Sequence, residues 1–262
     1  MSIDMLKDLH LLTRDGQLNA DARRKLKQIR HLVNLLKPAL DDALARQAEP
    51  VIVDCGAGKS YLGALLYELV LGPAGRGSLT AIEARPELSE QAAARAARFG
   101  QKRFHVATGA IDAIQLATRP NVVTALHACD TATDDALALA IRQNADHIAV
   151  VPCCQAEVAR QLEKSRPEDP VLAALFAHPL HRRELGSHLT NVVRTLVLEA
   201  HGYKVTVTEL VGWEHSAKNE LILGKRVNRF DATAQATLRA LLDRFQIEPA
   251  LVRAVGVQSA HG

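Results

Sequence analysis

Asp54-Cys55-Gly56-Ala57-Gly58 directly follows the apolar run Val51-Ile52-Val53, and two glycines spaced this way let a chain leave a strand sharply while a ligand approaches its backbone. Asp54 can accept a hydrogen bond from a ligand's ammonium group or order the loop. Three ligand chemistries compete for such a turn. A phosphate-cradling loop, GxxxxGK followed by Ser or Thr, needs glycine five residues before Gly58, where Val53 stands, so Gly58-Lys59-Ser60 is coincidental. A dinucleotide fingerprint, GxGxxG, needs glycine where Tyr61 stands, and its acid should follow by about 20 residues; Glu83 lies 25 beyond Gly58. The third ligand is S-adenosylmethionine (SAM), with one acid opening the loop and a second, Glu83, ending the next strand where both ribose hydroxyls can be held. That reading is preferred over a nicotinamide or flavin site and over a purely structural turn. Adenine then belongs near Gly109-Ala110-Ile111, with Asp112 or the backbone amide of Ile111 as its partner. The expected cofactor contacts are Asp54, Gly56, Ala57, Gly58, Glu83, Gly109, Ile111, Asp112 and His127.

A second group of unusual side chains falls in Leu126-His127-Ala128-Cys129-Asp130 and Val151-Pro152-Cys153-Cys154-Gln155. Both segments follow apolar runs read as strands, and ligands of open α/β sheets bind outside the carboxyl ends of strands, which would make the two neighbours at the reactive methyl group. Four readings stand side by side. The cysteines are small buried hydrophobes and His127 an interior histidine; His127 or Asp130 is a general base or orients the acceptor atom; separate strands bring metal ligands together, although the spacing is not that of a zinc finger; or Cys153, after Pro152, adds to a pyrimidine ring to activate its carbon. His127, Asp130, Cys153 and Asn219 are the candidate catalytic residues, with no metal assigned. His215, Lys218 and Asn219 lie in the last turn before the final strand, where Asn219 can bond an acceptor and Lys218 a phosphate; ordinary turn residues would look the same.

The elements that must position these residues alternate. Apolar runs at 51–53, 78–83, 104–107, 122–126 and 147–151 read as strands, separated by helical stretches at 61–71, 86–99 and from Thr133 or Asp134 to about Asn144. Gly72-Pro73 is expected to end the first of these. After an insertion at about 156–186 come a helix at 187–200 and two closing strands, 204–211 and 220–224, joined so briefly that they form a hairpin. The expectation is therefore a Rossmann-like α/β fold: a seven-stranded, mostly parallel sheet with one antiparallel strand, plus N- and C-terminal helices. Residues 1–49 form a helical extension, capped at Asn19 or Asp21, apolar at Leu26, Ile29, Val33 and Leu36, and punctuated by Pro38 and Pro50. Residues 50–228 form the ligand-binding domain, and 229–262 a helical tail that includes 231–245.

The chain has 262 residues, 48% apolar and 23% charged, the balance of one globular α/β domain with extensions. A formal charge of +3 is too small for a field covering the whole protein, so any basic footprint is local. No run approaches the roughly 20 apolar residues of a membrane span, and residues 1–15 lack the pattern of a signal peptide. Four cysteines in this length are not a disulfide scaffold. These features point to a reduced, cytoplasmic protein without a membrane partner.

On residues 54–62, on His127-Ala128-Cys129 with Thr131-Ala132-Thr133-Asp134, on Pro152-Cys153-Cys154 and on Glu214 to Glu220, the chain resembles the methyltransferase-domain family that includes eukaryotic methyltransferase-like proteins and relatives of the tRNA acceptor-stem 2′-O-methyltransferases. The resemblance covers roughly residues 50–227 and implies SAM as cofactor and methyl transfer as activity. The tRNA enzymes carry a histidine pair after the double cysteine, where this chain has Gln155-Ala156, and they carry an N-terminal zinc module that has no counterpart here. The insertion holds Arg160, Lys164, Arg166, His178, His181, Arg182 and Arg183, and the N-terminal helix has a basic face from Arg23 to Lys37. Together they suggest a basic funnel for RNA (tRNA or rRNA), the first acceptor class; a scattered, solvated surface is the alternative. Aromatic residues are only 3%, which favours recognition of backbone or shape over base stacking. A protein or small-molecule methyltransferase, or a SAM-binding scaffold without catalysis, are the other classes.

Overall fold

The structure, a computed structural model, describes residues 3–8, 12, 20–126, 128, 130–152, 155–165, 167, 169–209 and 220–256, and of 20–22 and 24–30 the backbone alone. Its strands are β1 (Val51–Cys55), β2 (Ser78–Glu83), β3 (Phe104–Thr108), β4 (Val122–Leu126), β5 (His147–Val151), β6 (Tyr203–Glu209) and β7 (Glu220–Arg226). They form one sheet in the order β3-β2-β1-β4-β5-β7-β6. Pairing is parallel from β3 through β5, and β7 runs antiparallel to both its neighbours. The expected single antiparallel strand is thus the last one.

Helices cover both faces, as a sheet of buried parallel strands requires. They are α1 (Ile3–Asp8), α2 (Ala20–Arg46), α3 (Tyr61–Leu66), α4 (Pro86–Arg98), α5 (Ala132–Arg142), α6 (Glu157–Lys164), α7 (Pro170–Leu175), α8 (Pro179–Ala200), α9 (Ala232–Phe245) and α10 (Ala250–Val255). Alternate strand residues point to opposite faces. Ile52, Leu79, Val122 and Ala149 meet Leu32, Leu36, Leu40 and Ala43 of α2 and Leu62 and Leu66 of α3. Val53, Ile82, Val123 and Ile148 meet Leu137 of α5, Val193 and Val197 of α8, and Leu238 of α9. The second half of α2 therefore belongs to the core of the sheet, and His147 at the start of β5 fixes it further with a 2.7 Å contact to Asp42.

Three local expectations are corrected. Pro38 lies inside α2 and does not end it; Leu36, Leu40 and Ala43 are buried on either side of it, and that burial outweighs the roughly 3 kcal/mol that an interior proline costs. Gly72-Pro73 does not stop the helix after the glycine loop. The chain widens into a π turn at Tyr67–Leu71, in which the Gly72 amide bonds the Tyr67 carbonyl, and this precedes one more turn, Gly72–Ala74. A π turn admits an extra residue ahead of Pro73, whose ring would clash with a carbonyl of the preceding turn in a regular helix. The crossover helix begins at Pro179, not at 187, because proline is pre-organised for a first helical turn. The insertion before it is itself largely helical, as α6 and α7.

Helices α6 and α8 touch at Gly186, where an added Cβ would lie 2.7 Å from the Ala159 backbone nitrogen and 2.8 Å from its Cα. Since the obstacle is backbone, the helices must part to admit a methyl group. Gly186→Ala is expected to destabilise the protein by about 1–3 kcal/mol, despite alanine's better helix propensity. Equal or higher stability in urea unfolding would contradict that contact.

Candidate functional site

The sheet reverses its winding direction between β1 and β4, and open α/β sheets bind ligands outside the carboxyl ends of the strands at such a point. The glycine loop lies there. Gly56 and Gly58 have φ of +62° and +56°, in the left-handed region that costs other residues about 1 kcal/mol or more. A Cβ on Gly56 would approach the Ala128 side chain at 3.1 Å, so the loop and the segment after β4 are in close contact. A Cβ on Gly58 would find only the end of the Arg85 side chain, 4.0 Å away. The Ala57 amide bonds the Ile82 carbonyl at 3.0 Å, which holds the turn against β2.

Asp54 is 2% exposed. Its Oδ1 accepts from the Thr124 hydroxyl of β4 at 2.8 Å, and its carboxyl also accepts from the Gly63 amide in the first turn of α3. Ser60, at the N-cap position, makes no side-chain cap, so Asp54 supplies from the neighbouring strand what the cap residue does not. Of its two expected roles, ordering the loop is the one this geometry serves. Gly63 lets the helix come this close: a Cβ there would lie 2.6 Å from Ser60 Oγ and 3.1 Å from the Phe104 ring.

Burial pushes the Asp54 carboxyl up to about 7, against the pull of the Thr124 hydroxyl and the Gly63 amide. A folded pKa above the unfolded one means that the native state holds the proton more tightly. The group's contribution to stability is then full below about pH 4 and lost as pH rises to about 7. Asp54→Asn cannot titrate. The stability of the wild type relative to this variant is expected to fall by about 3–4 kcal/mol between pH 4 and 8. Parallel stability curves for the two proteins would contradict the assignment.

Glu83 ends β2 against the glycine loop and is 5% exposed. Its Oε2 accepts from the Gly58 amide at 2.7 Å, and its Oε1 from the Arg85 amide at 3.1 Å and Arg85 Nε at 2.8 Å. Burial works against its ionisation, but the bonds from Arg85 and Gly58 outweigh it and hold the carboxyl below its usual range. It is a fixed anion at the loop's mouth. Gly109 follows β3 and its amide bonds the Glu83 carbonyl at 3.0 Å. Ile111 is buried and opens a short 3-10 turn, Ile111–Ala113, while Asp112 within that turn is exposed.

The segments after β4 and β5 are joined through Asp130. Asp130 has φ of +50°. Its carboxylate accepts from the Ala156 amide and from Arg160 Nη2, each at 3.1 Å. Burial opposes its charge, but these bonds and the Glu157 amide hold its pKa below the usual carboxylate range. So tied, Asp130 caps α6 and is a weak base. Of the other proposed catalytic residues, His127, Cys153 and Asn219 lie outside the described residues, as do Cys129, Cys154, His215 and Lys218. Among the described residues no group of three His, Cys, Asp or Glu is placed to hold a metal ion. Cys55, within the glycine loop, is buried, and burial raises its thiol pKa, so it stays protonated.

Several residues of the site carry no motif. Thr124 and Gly63 partner Asp54, Arg85 partners Glu83, and Arg194 of α8 donates to the Asp130 carbonyl at 3.1 Å. Arg194 had one visible signal, a lone arginine between Val193 and Val197 on a face that the helical period marks as buried.

Residues 24–161 match a family model described as a methyltransferase domain. No curated protein matches the chain. Among solved structures, an rRNA methylase from Streptococcus thermophilus is similar with a TM-score of 0.49 at 10% identity, over 74% of this chain and 95% of that one. Magnesium protoporphyrin IX methyltransferase from Synechocystis PCC 6803, with bound SAH, is similar with a TM-score of 0.49 at 13% identity, over 85% of this chain and 93% of that one. Among the described residues no helix is long and apolar enough to cross a membrane.

Proposed function

Because the chain belongs to the methyltransferase-domain family, we propose that it transfers a methyl group from SAM to RNA, with the donor in the crevice between the glycine loop and Glu83. One observation carries the cofactor assignment: a buried, ionised carboxylate at the end of β2 that faces a glycine whose Cβ position is open. A carboxylate so placed can accept from two vicinal hydroxyls, and the bare loop backbone admits the ligand's amino-acid end. Bound there, SAM supplies an electrophilic methyl group on a sulfonium whose sulfur leaves as a neutral thioether. Asp54 shapes the loop through Thr124 and Gly63, Glu83 grips the ribose, and Gly109 and Ile111 border the adenine. Asp130 acts as a positioning residue, since its charge is already committed to Arg160 and the start of α6. His127, Cys153 and Asn219 are the candidates for handling the acceptor and its proton.

The RNA assignment draws on the basic residues of α2, α6 and α8 and on the family resemblance. A protein or small-molecule acceptor is favoured by a different observation. Arg160, Arg182 and Arg183 each pair with an acid (Asp130, Glu163 and Glu184), while Val171, Leu175 and Leu180 stand exposed on the same insertion. Incubation with donor labelled in its methyl group, followed by separation of RNA, protein and metabolites from cell extract, distinguishes the two. We expect label in RNA, with uptake falling steeply at high salt. Label in protein or metabolites would replace the acceptor. SAM binding with no label in any fraction would leave a scaffold.

A further inference from the structure

Arg194 is one of the buried residues of α8, with its side chain 1% exposed. Its Nε and Nη2 hold the two carboxylate oxygens of Asp134 at 2.8 and 3.0 Å, and Nη2 also reaches the Asp130 carbonyl. Its Nη1 donates to Asn191 Oδ1 at 3.1 Å. Asn191 extends the network in two more directions. Its Oδ1 accepts from Gln155 Nε2 at 3.0 Å, and its Nδ2 donates to Glu220 Oε2 at 2.9 Å. Ser187 closes the far side with a 3.0 Å bond to Gln155 Oε1.

Taking two charges and two amides out of water is expensive, and an apolar cluster of the same volume would stabilise the helix at least as well. The network does something an apolar cluster cannot, which is to fix directions. Its ends fall on three separate segments at one end of the sheet's strands: Asp130, in the segment after β4; Gln155, next in sequence to Cys153-Cys154 after β5; and Glu220, the first residue of β7 and next in sequence to Asn219. Every candidate for handling the acceptor is a near sequence neighbour of one of these ends.

We propose that Arg194 and Asn191 are positioning residues that hold Asp130, Gln155 and Glu220 as one rigid unit on the acceptor side of the site, separate from the SAM loop. The inference rests on the methyltransferase reading of the crevice. Neither residue touches a reacting atom; each sets the geometry of those that do.

Asn191→Ala cuts the links to Gln155 and Glu220 and leaves the Arg194–Asp134 pair in place. With total RNA as acceptor and labelled SAM as donor, turnover at saturating RNA is expected to fall ten- to a hundredfold. SAM affinity should stay within twofold, because the glycine loop lies outside the network. Exchange of the Ala156 amide, which bonds Asp130, should speed up at least tenfold while the Gly58 amide is unchanged. Glu220→Gln keeps an acceptor for the Asn191 amide and should turn over within threefold of wild type; if Asn191→Ala does not fold, Glu220→Ala takes its place. Wild-type turnover in a folded Asn191→Ala, or unchanged Ala156 exchange, overturns the proposal. If the wild-type protein itself labels no fraction, the methyltransferase reading fails, and the exchange measurement decides alone whether the rim is one unit.

Discussion

Glu83→Ala is expected to weaken SAM binding by about 100- to 1,000-fold while the protein stays folded. The size follows from two hydrogen bonds between ribose hydroxyls and an ionised acceptor, each worth about 1.5–2 kcal/mol. The carboxylate is prepared for that task before any ligand arrives. Glu83 is held by the Gly58 amide and by Arg85, which fix its orientation and keep it charged well below neutral pH. Its loss harms the fold much less. The groups it would release, the Gly58 amide and the Arg85 guanidinium, lie where water can replace it, Arg85 being 61% exposed. Glu83→Gln keeps the shape but loses the charge and should fall between the two. Titration calorimetry on all three proteins checks the order; equal affinities would remove Glu83 from the site.

Arg194→Met is expected to cost about 3–5 kcal/mol of stability, the largest effect of any single change considered. The Asp134 carboxylate would be left buried with no cation, and the Asp130 carbonyl and Asn191 Oδ1 would each lose a donor. The logic predicts a non-additive cycle. Replacing both partners, as Arg194→Met with Asp134→Leu, removes the uncompensated charge, so the double variant should be more stable than Arg194→Met alone. Urea unfolding of the three variants measures this. Additive losses would mean that the pair is not coupled as its geometry requires.

The succession of strands along the chain and the closing antiparallel strand were legible from apolar runs and from the short link between the last two, because burial on both faces leaves a continuous apolar signature. The ends of helices were less so. Pro38 and Gly72-Pro73 carry local stop signals that tertiary burial in one case and a π turn in the other override. The glycine loop and Glu83 could be read because backbone conformation and an acid at a strand end leave fixed marks in sequence. The partners of Asp54 could not, because Thr124 and Gly63 are far apart in sequence and unremarkable alone. Asp130 was a plausible base by position and is an anchor by contact, since its partners Ala156 and Arg160 come from a helix inside the insertion. The Arg194 network was hidden for the same reason: side chains 29 to 60 residues apart become one unit only after the crossover helix packs.

A crystal structure of the protein with S-adenosylhomocysteine tests most directly whether the carboxyl ends of β1 and β2 hold an adenosyl ligand. We predict both ribose hydroxyls within hydrogen-bond distance of the Glu83 carboxylate, and the amino-acid end of the ligand along the Gly56–Gly58 backbone. A ligand bound elsewhere, with Glu83 still tied only to Gly58 and Arg85, would contradict it.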